Sequence, residues 1–269
     1  KTLLVQEVIA HAMAELDAWC VLADSEAAYD PRFGARLGID NKRLWYSRPD
    51  TVEDVFDMFE KLMLKADQQD PKRLLVLAWD SLAATSTVHE MQESEKQDMT
   101  KAKVLSAKMR RIQRMIGRRR VAFLIVNQVR QKTGVMFGNP ETTPGGEAVP
   151  FHASVRIRVA QGSLYKGHPV KILEGKNVIA TRIRAECVKN KLAPPFRKCE
   201  IIASFEDGFV PWSGLADLLA DEGRILRKEG KGGKAVYSYQ GSSFSMTSIL
   251  DILDKYPELR ENSTVPTGP

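Results

Sequence analysis

The chain has 269 residues, 43% of them hydrophobic and 28% charged, with a net charge of +6. That length suits one large domain, or a large domain with a small appendix, and the apolar share is enough for a substantial core. No apolar run approaches the roughly 20 residues of a membrane-spanning helix, so a helical membrane protein is excluded, and a small positive balance invites polyanions without selecting one.

In chain order, Leu4, Val8, Ala12 and Leu16 recur at helical spacing and predict a helix over Leu3–Leu16. Trp19–Ala23 is a short apolar run of strand length. Val52, Val55, Phe56, Phe59, Leu62 and Met63 form the stripe of a second helix. Leu74–Trp79 is too apolar to alternate and reads as a strand covered on both faces. Leu105, Met109, Ile112 and Ile116 give another helical stripe, followed by the fully apolar strand Val121–Val126. Helices alternating with buried strands predict βα units around a largely parallel sheet. Val155–Ala160, Thr181–Val188 and Cys199–Phe205 follow one another through turns, and read as antiparallel strands that extend it. Composition shifts near Gly208; Gly230–Gly233 is a flexible break and Ile249–Tyr256 a short helix. The expected organisation is a core over residues 1–207, a small α/β lobe over 208–261 and a disordered tail over 262–269. Cys20, Cys187 and Cys199 are scattered without C-x-x-C spacing, as in a reduced, cytoplasmic protein. His11, His89, His152 and His168 form no metal-ligand pattern.

In open α/β sheets ligands sit beyond the carboxyl ends of the strands. Glu26, Asp80 and Gln128 each lie at or just after such an end. Lys1-Thr2, opening the first helix, matches the tail of a G-x-x-x-x-G-K-[ST] phosphate loop whose glycines are not in the sequence. Lys1 would neutralise β- and γ-phosphates, Thr2 would give its hydroxyl to Mg²⁺, and Asp80 would hold the ion directly or through water. Read alone, Asp80-Ser81 is a plain helix N-cap; with the other residues beside it, the Mg²⁺ reading is favoured. A carboxylate at Glu26 can orient and deprotonate a water, or be a surface acid; an amide at Gln128 can sense a γ-phosphate, or satisfy its own loop.

The segment 134–146, Gly134-Val135-Met136-Phe137-Gly138-Asn139-Pro140 through Gly145-Gly146, brackets an apolar tip with glycines. An exposed apolar tip can wedge between bases, with Arg130 and Lys132 on the phosphates; a tucked hairpin is the other reading. Lys103, Arg110 and Arg114 share one face of the preceding helix, either solvated or turned to a polyanion or partner.

From Gln128 to Gly146 the sequence closely resembles the second DNA-binding loop of the bacterial and phage RecA recombinase family. The remaining anchors fall in that family's order: Lys1-Thr2, Asp24–Pro31, Asp80–Ala84, Phe151–Arg156, Val188–Lys191, Pro195-Phe196 and Tyr237–Tyr239. The resemblance implies a RecA-like P-loop ATPase core, its mostly parallel central sheet extended by antiparallel strands, with a small C-terminal α/β lobe. It also implies ATP and Mg²⁺ as cofactors, single-stranded and double-stranded DNA as partners, a homo-oligomeric helical filament, no membrane, and strand exchange in recombination and repair. By the same resemblance Glu26 activates water, Asp30 and Phe33 hold the adenine, and Gln128 couples the γ-phosphate to the DNA loops. Arg130, Lys132, Gly134, Val135, Met136, Phe137, Asn139, Gly145 and Gly146 touch DNA. Lys189 and Lys191 reach the neighbouring subunit's ATP, and Phe151 lies at a subunit contact. Phe33 stands where the family commonly has Tyr, which keeps stacking and drops a hydroxyl. Thr85–Lys101, where a first DNA loop falls, lacks the family's glycine-rich pattern. A chain starting at the loop lysine is expected to be inactive by itself. A non-hydrolysing filament that coats single-stranded DNA, or a regulatory protein of the same fold, is the alternative; the loop argues against a hexameric helicase.

Overall fold

A computed structural model describes residues 1–92, 100–131, 141–164, 170–230, 235–245 and 248–261. The chain divides into two compact units, Lys1–Ala153 and Ser154–Pro269. The antiparallel strands before residue 207, grouped with the core from sequence, thus fall in the second unit.

The first unit runs α1 (Thr2–Leu16), β1 (Trp19–Asp24), α2 (Pro31–Arg36), β2 (Leu44–Ser47), α3 (Val52–Gln69), β3 (Leu75–Asp80), α4 (Val88–Gln92), α5 (Thr100–Ile116), β4 (Val121–Ile125), β5 (Arg130–Gln131), β6 (Glu141–Thr142) and α6 (Ala148–His152). Its main sheet is parallel, in the order β2-β1-β3-β4, and β5 pairs β6 in a separate antiparallel ladder. Strand parity decides which helix each side chain meets. Val21, Ala23, Leu75, Leu77 and Trp79 pack with Val55, Phe56, Phe59, Leu105 and Ile112 of α3 and α5. Cys20, Leu22, Val76 and Ala78 pack with Val5, Ile9 and Met13 of α1. The register pairs Asp24 with Asp80, both on the even, α1-facing set. α3 starts in a capping box, Thr51 Oγ1 accepting from Asp54 N at 3.1 Å and Asp54 Oδ2 from Thr51 N at 3.2 Å. Every described residue of β3 is buried, as its unbroken apolar run predicts. β4 is only half-buried throughout, because it is the edge of this sheet among the described residues.

The second unit begins with β7 (Val155–Gln161), β8 (Lys171–Glu174), β9 (Asn177–Asn190), β10 (Lys198–Ser204) and β11 (Gly208–Phe209). These are antiparallel, ordered β11-β10-β9-β7, with β8 also on β9. β9 spans 14 residues and joins three partners, longer than the Thr181–Val188 expected, by Asn177–Ala180 at one end and Lys189-Asn190 at the other. Within this sheet Arg182 Nη1 donates to the buried Glu200 carboxylate at 2.6 Å, which also accepts from Leu164 N at 2.9 Å and from the Ser163 hydroxyl. The chain continues through α7 (Leu215–Asp221), β12 (Leu226–Glu229), β13 (Ala235–Tyr239), β14 (Ser242–Phe244), α8 (Ile249–Lys255) and α9 (Glu258–Glu261). A core of Leu215, Leu219, Tyr237, Phe244, Ile249 and Leu253 makes this end a small α/β lobe.

Candidate functional site

The polar residues expected at the sheet's carboxyl edge come together in the first unit. Thr2 is the first residue of α1, and its hydroxyl donates to the Asp80 carboxylate at the end of β3. That meeting follows from parity, because Asp80 continues the Val76 and Ala78 face on which α1 lies. α1 carries no acidic residue in its first turn and no side-chain cap, so its leading N–H groups suit an anion. Lys1 Nζ donates to the Asn127 carbonyl at 3.2 Å. Glu26 lies on the turn after β1, where its Oε1 accepts from Ser81 Oγ at 2.5 Å and faces Gln128 Nε2 at 3.5 Å.

Charge at this edge is not balanced. Asp80 is 4% exposed, and burial pushes its carboxyl pKa up, with the Glu26 and Asp24 carboxylates adding to the rise against the Thr2 hydrogen bond. Among the described residues Asp24 has no ion-pair partner; its Oδ2 accepts from Tyr29 N at 2.9 Å and from Tyr46 Oη at 3.0 Å. No group of three or more His, Cys, Asp or Glu able to hold a metal occurs among the described residues. One hydroxyl and one buried, under-compensated carboxylate nevertheless fit Mg²⁺, which keeps waters and takes its other oxygens from phosphates. Thr2 and Asp80 would hold it.

Asp30 caps α2, its Oδ1 accepting from Arg32 N at 2.8 Å, and that backbone hydrogen bond leads the lowering of its pKa. Phe33 is half-buried on α2, with the Arg36 guanidinium 5.3 Å from its ring centre. Arg130 is exposed on β5. Gly145 and Gly146 turn the chain toward α6 at φ +86° and +67°, and a Cβ on Gly145 would lie 2.3 Å from Leu105 Cδ1. Lys132, Gly134, Val135, Met136, Phe137 and Asn139 lie outside the described residues. Phe151, on α6, is 73% exposed. Lys189 lies near the end of β9 in the second unit and Lys191 directly follows that strand; desolvation, then Lys191 and Arg156, lower the Lys189 pKa.

Several partners escaped the sequence. Asn127 accepts Lys1 through its carbonyl and Gln128 N through Oδ1 at 2.9 Å, and its Nδ2 reaches the Pro144 carbonyl at 3.1 Å. Asp80-Ser81 caps no helix; a turn follows, and Ser81 is free to meet Glu26. Adjacency to Gln128 for Asn127, and to Asp80 for Ser81, was the available signal.

A parallel sheet covered on both faces with a polar constellation at its carboxyl edge, and antiparallel strands in a sheet of their own, make a RecA-like mixed α/β fold. The family model described as RecA N-terminal domain matches residues 1–210. Protein RecA of Heliobacterium modesticaldum is 33% identical over 264 residues, covering 96% of this chain and 70% of its own. Protein RecA of Thermus aquaticus is 35% identical over 233 residues, with 86% and 64% covered. That of Bacteroides thetaiotaomicron is 34% identical over 262 residues, with 93% and 73% covered. The chain belongs to the RecA family, and spans about two thirds of the length of such relatives.

Proposed function

We propose that the chain is the ATP-hydrolysing core of a cytoplasmic recombinase. It binds ATP with Mg²⁺ at the sheet edge, assembles as a helical filament on single-stranded DNA, and drives pairing and strand exchange with a homologous duplex. The observation that carries this reading is the convergence of Thr2, Asp80, Glu26 and Gln128 from separate elements of the first unit.

The chemistry follows from those positions. Glu26 takes a proton from water through Oε2 as the water oxygen attacks the γ-phosphorus and the bond to the β-bridging oxygen breaks. Lys1 and the α1 N-terminus draw the phosphates, and Gln128 hydrogen-bonds the γ-phosphate while it is present. Mg²⁺, when bound, neutralises charge on the β- and γ-oxygens. Asp30 and Phe33 hold the adenine; Arg130 and Lys132, with the Gly134, Val135, Met136, Phe137, Asn139, Gly145 and Gly146 segment, contact DNA. Lys189 and Lys191 serve a neighbouring subunit's phosphates, and Phe151 contacts that subunit.

ATP hydrolysis by the full-length chain, with and without single-stranded DNA, tests the reading. Turnover stimulated by DNA supports it. DNA binding without turnover moves the chain to the coat or regulator alternative.

A further inference from the structure

We propose that the turn after β3 positions the Glu26 carboxylate, Ser81 by a direct hydrogen bond and Thr85 by tying that turn to the one bearing Glu26. The proposal rests on the reading of Glu26 as the proton acceptor. Glu26 is exposed on a turn, and an exposed carboxylate samples several rotamers unless something holds it. Ser81, fully buried, donates to Oε1 at 2.5 Å, whereas Oε2 accepts no hydrogen bond from the described residues. One oxygen is thereby fixed and the other left for the water, an orientation whose loss by even a small displacement lowers the rate of a proton transfer.

Thr85 is 1% exposed and its hydroxyl is the hub of a second set of bonds. It lies 2.8 Å from the Ser81 carbonyl and 2.8 Å from Ser25 Oγ, and it accepts the Trp79 indole N–H at 3.0 Å. A hydroxyl has one hydrogen. Donation to the Ser81 carbonyl leaves Thr85 accepting from both Trp79 and Ser25, so the end of β3 and the turn after β1 are pinned through one oxygen. Ser25 is the residue before Glu26, and its N–H also donates to the Asp80 carbonyl at 2.8 Å. On the far side Lys101, at the start of α5, donates its ammonium to the Thr85 carbonyl. The Thr85–Lys101 stretch, which lacks the glycine-rich pattern, supplies at both its ends groups that brace the Glu26 turn.

The test is single-turnover and steady-state hydrolysis of radiolabelled ATP by the full-length chain with single-stranded DNA. Ser81→Ala and Thr85→Val should each lower kcat about tenfold, the scale of one well-placed hydrogen bond, with KM for ATP within twofold of wild type. Thr85→Ser, which keeps the hydroxyl, should restore kcat. In a Glu26→Gln background Ser81→Ala should produce no further loss, since both changes act on one group. If Thr85→Val melts early, Ser81→Ala carries the test. Unchanged kcat in Ser81→Ala, with Glu26→Gln inactive, overturns the positioning role and leaves Glu26 standing. A full further loss in the Gln background also overturns it. Wild-type turnover in Glu26→Gln sinks the functional reading itself.

Discussion

Replacing Asp80 by Asn should stabilise the nucleotide-free chain while weakening Mg²⁺-dependent nucleotide binding. Asp80 is buried, its pKa is raised first by desolvation and then by Glu26 and Asp24, and its hydrogen bond comes from Thr2. Asn keeps an acceptor for the Thr2 hydroxyl and removes the charge. Relief of such a functional charge is worth about 1 kcal/mol. For a unit of the size of Lys1–Ala153 this is a rise in Tm of about 2–4 °C at neutral pH. The sign follows from linkage. The folded pKa lies above the unfolded one, so the folded chain still holds a proton where the unfolded chain has lost it. Wild-type stability therefore falls as pH rises from the ordinary carboxylate range through the raised pKa. Below that window residue 80 is neutral in both proteins and the difference vanishes; above it the variant keeps its full advantage. Saturating Mg²⁺-nucleotide reverses the order, because ligand at about 100 times its Kd adds about 2.7 kcal/mol to a chain that binds it. Thermal melts across pH, with and without Mg²⁺-nucleotide, give both differences. A variant less stable than wild type at pH 7 without ligand would show that the Asp80 charge is already compensated, and would refute the cation-site argument.

Gly34→Ala should disturb α2, which carries the proposed adenine contacts, because a Cβ there would lie 2.3 Å from Tyr29 Oη, which donates to Asn41 at 2.6 Å. Melting should register a loss of about 1–3 kcal/mol, with a raised KM for ATP; an unchanged melt and KM would show that Tyr29 moves freely. Arg130→Ala should weaken single-stranded DNA binding on every sequence and flatten the salt slope by about 0.7–1 unit, and an unaltered slope removes Arg130 from the phosphate contacts. Lys189→Ala with Lys191→Ala should fold, bind nucleotide weakly and lose DNA-stimulated turnover. Mixing it with Glu26→Gln should recover some activity where one chain's lysines meet the other's glutamate, and no recovery despite co-assembly would count against action in trans.

Elements whose apolar residues repeat regularly could be read from sequence. The α1, α3 and α5 stripes and the apolar runs of β1 and β3 give strong signals; the structure starts α1, α3, β1 and β3 within a residue of them, and α5 at Thr100, ahead of its first stripe residue Leu105. β2 was not legible: Leu44-Trp45-Tyr46-Ser47 is an edge strand with Trp45 half-exposed beneath the Lys65 ammonium, so burial imposes little pattern on it. β12 to β14 are three to five residues long, too short for periodicity to register. At the sheet edge, polar residues at strand ends stood out, and Glu26, Asp80 and Gln128 were read that way. Ser81, Thr85 and Asn127 join the site through hydrogen bonds fixed by turn geometry, and composition carries no trace of that.

The central claim is that the sheet edge of the first unit hydrolyses ATP with Glu26 as the base. Nucleotide binding and DNA-stimulated hydrolysis should be measured side by side for wild-type and Glu26→Gln full-length chains. Equal Mg²⁺-dependent binding with turnover reduced on the order of 10²-fold or more is the expected result. Near-normal turnover in the Gln variant would contradict it.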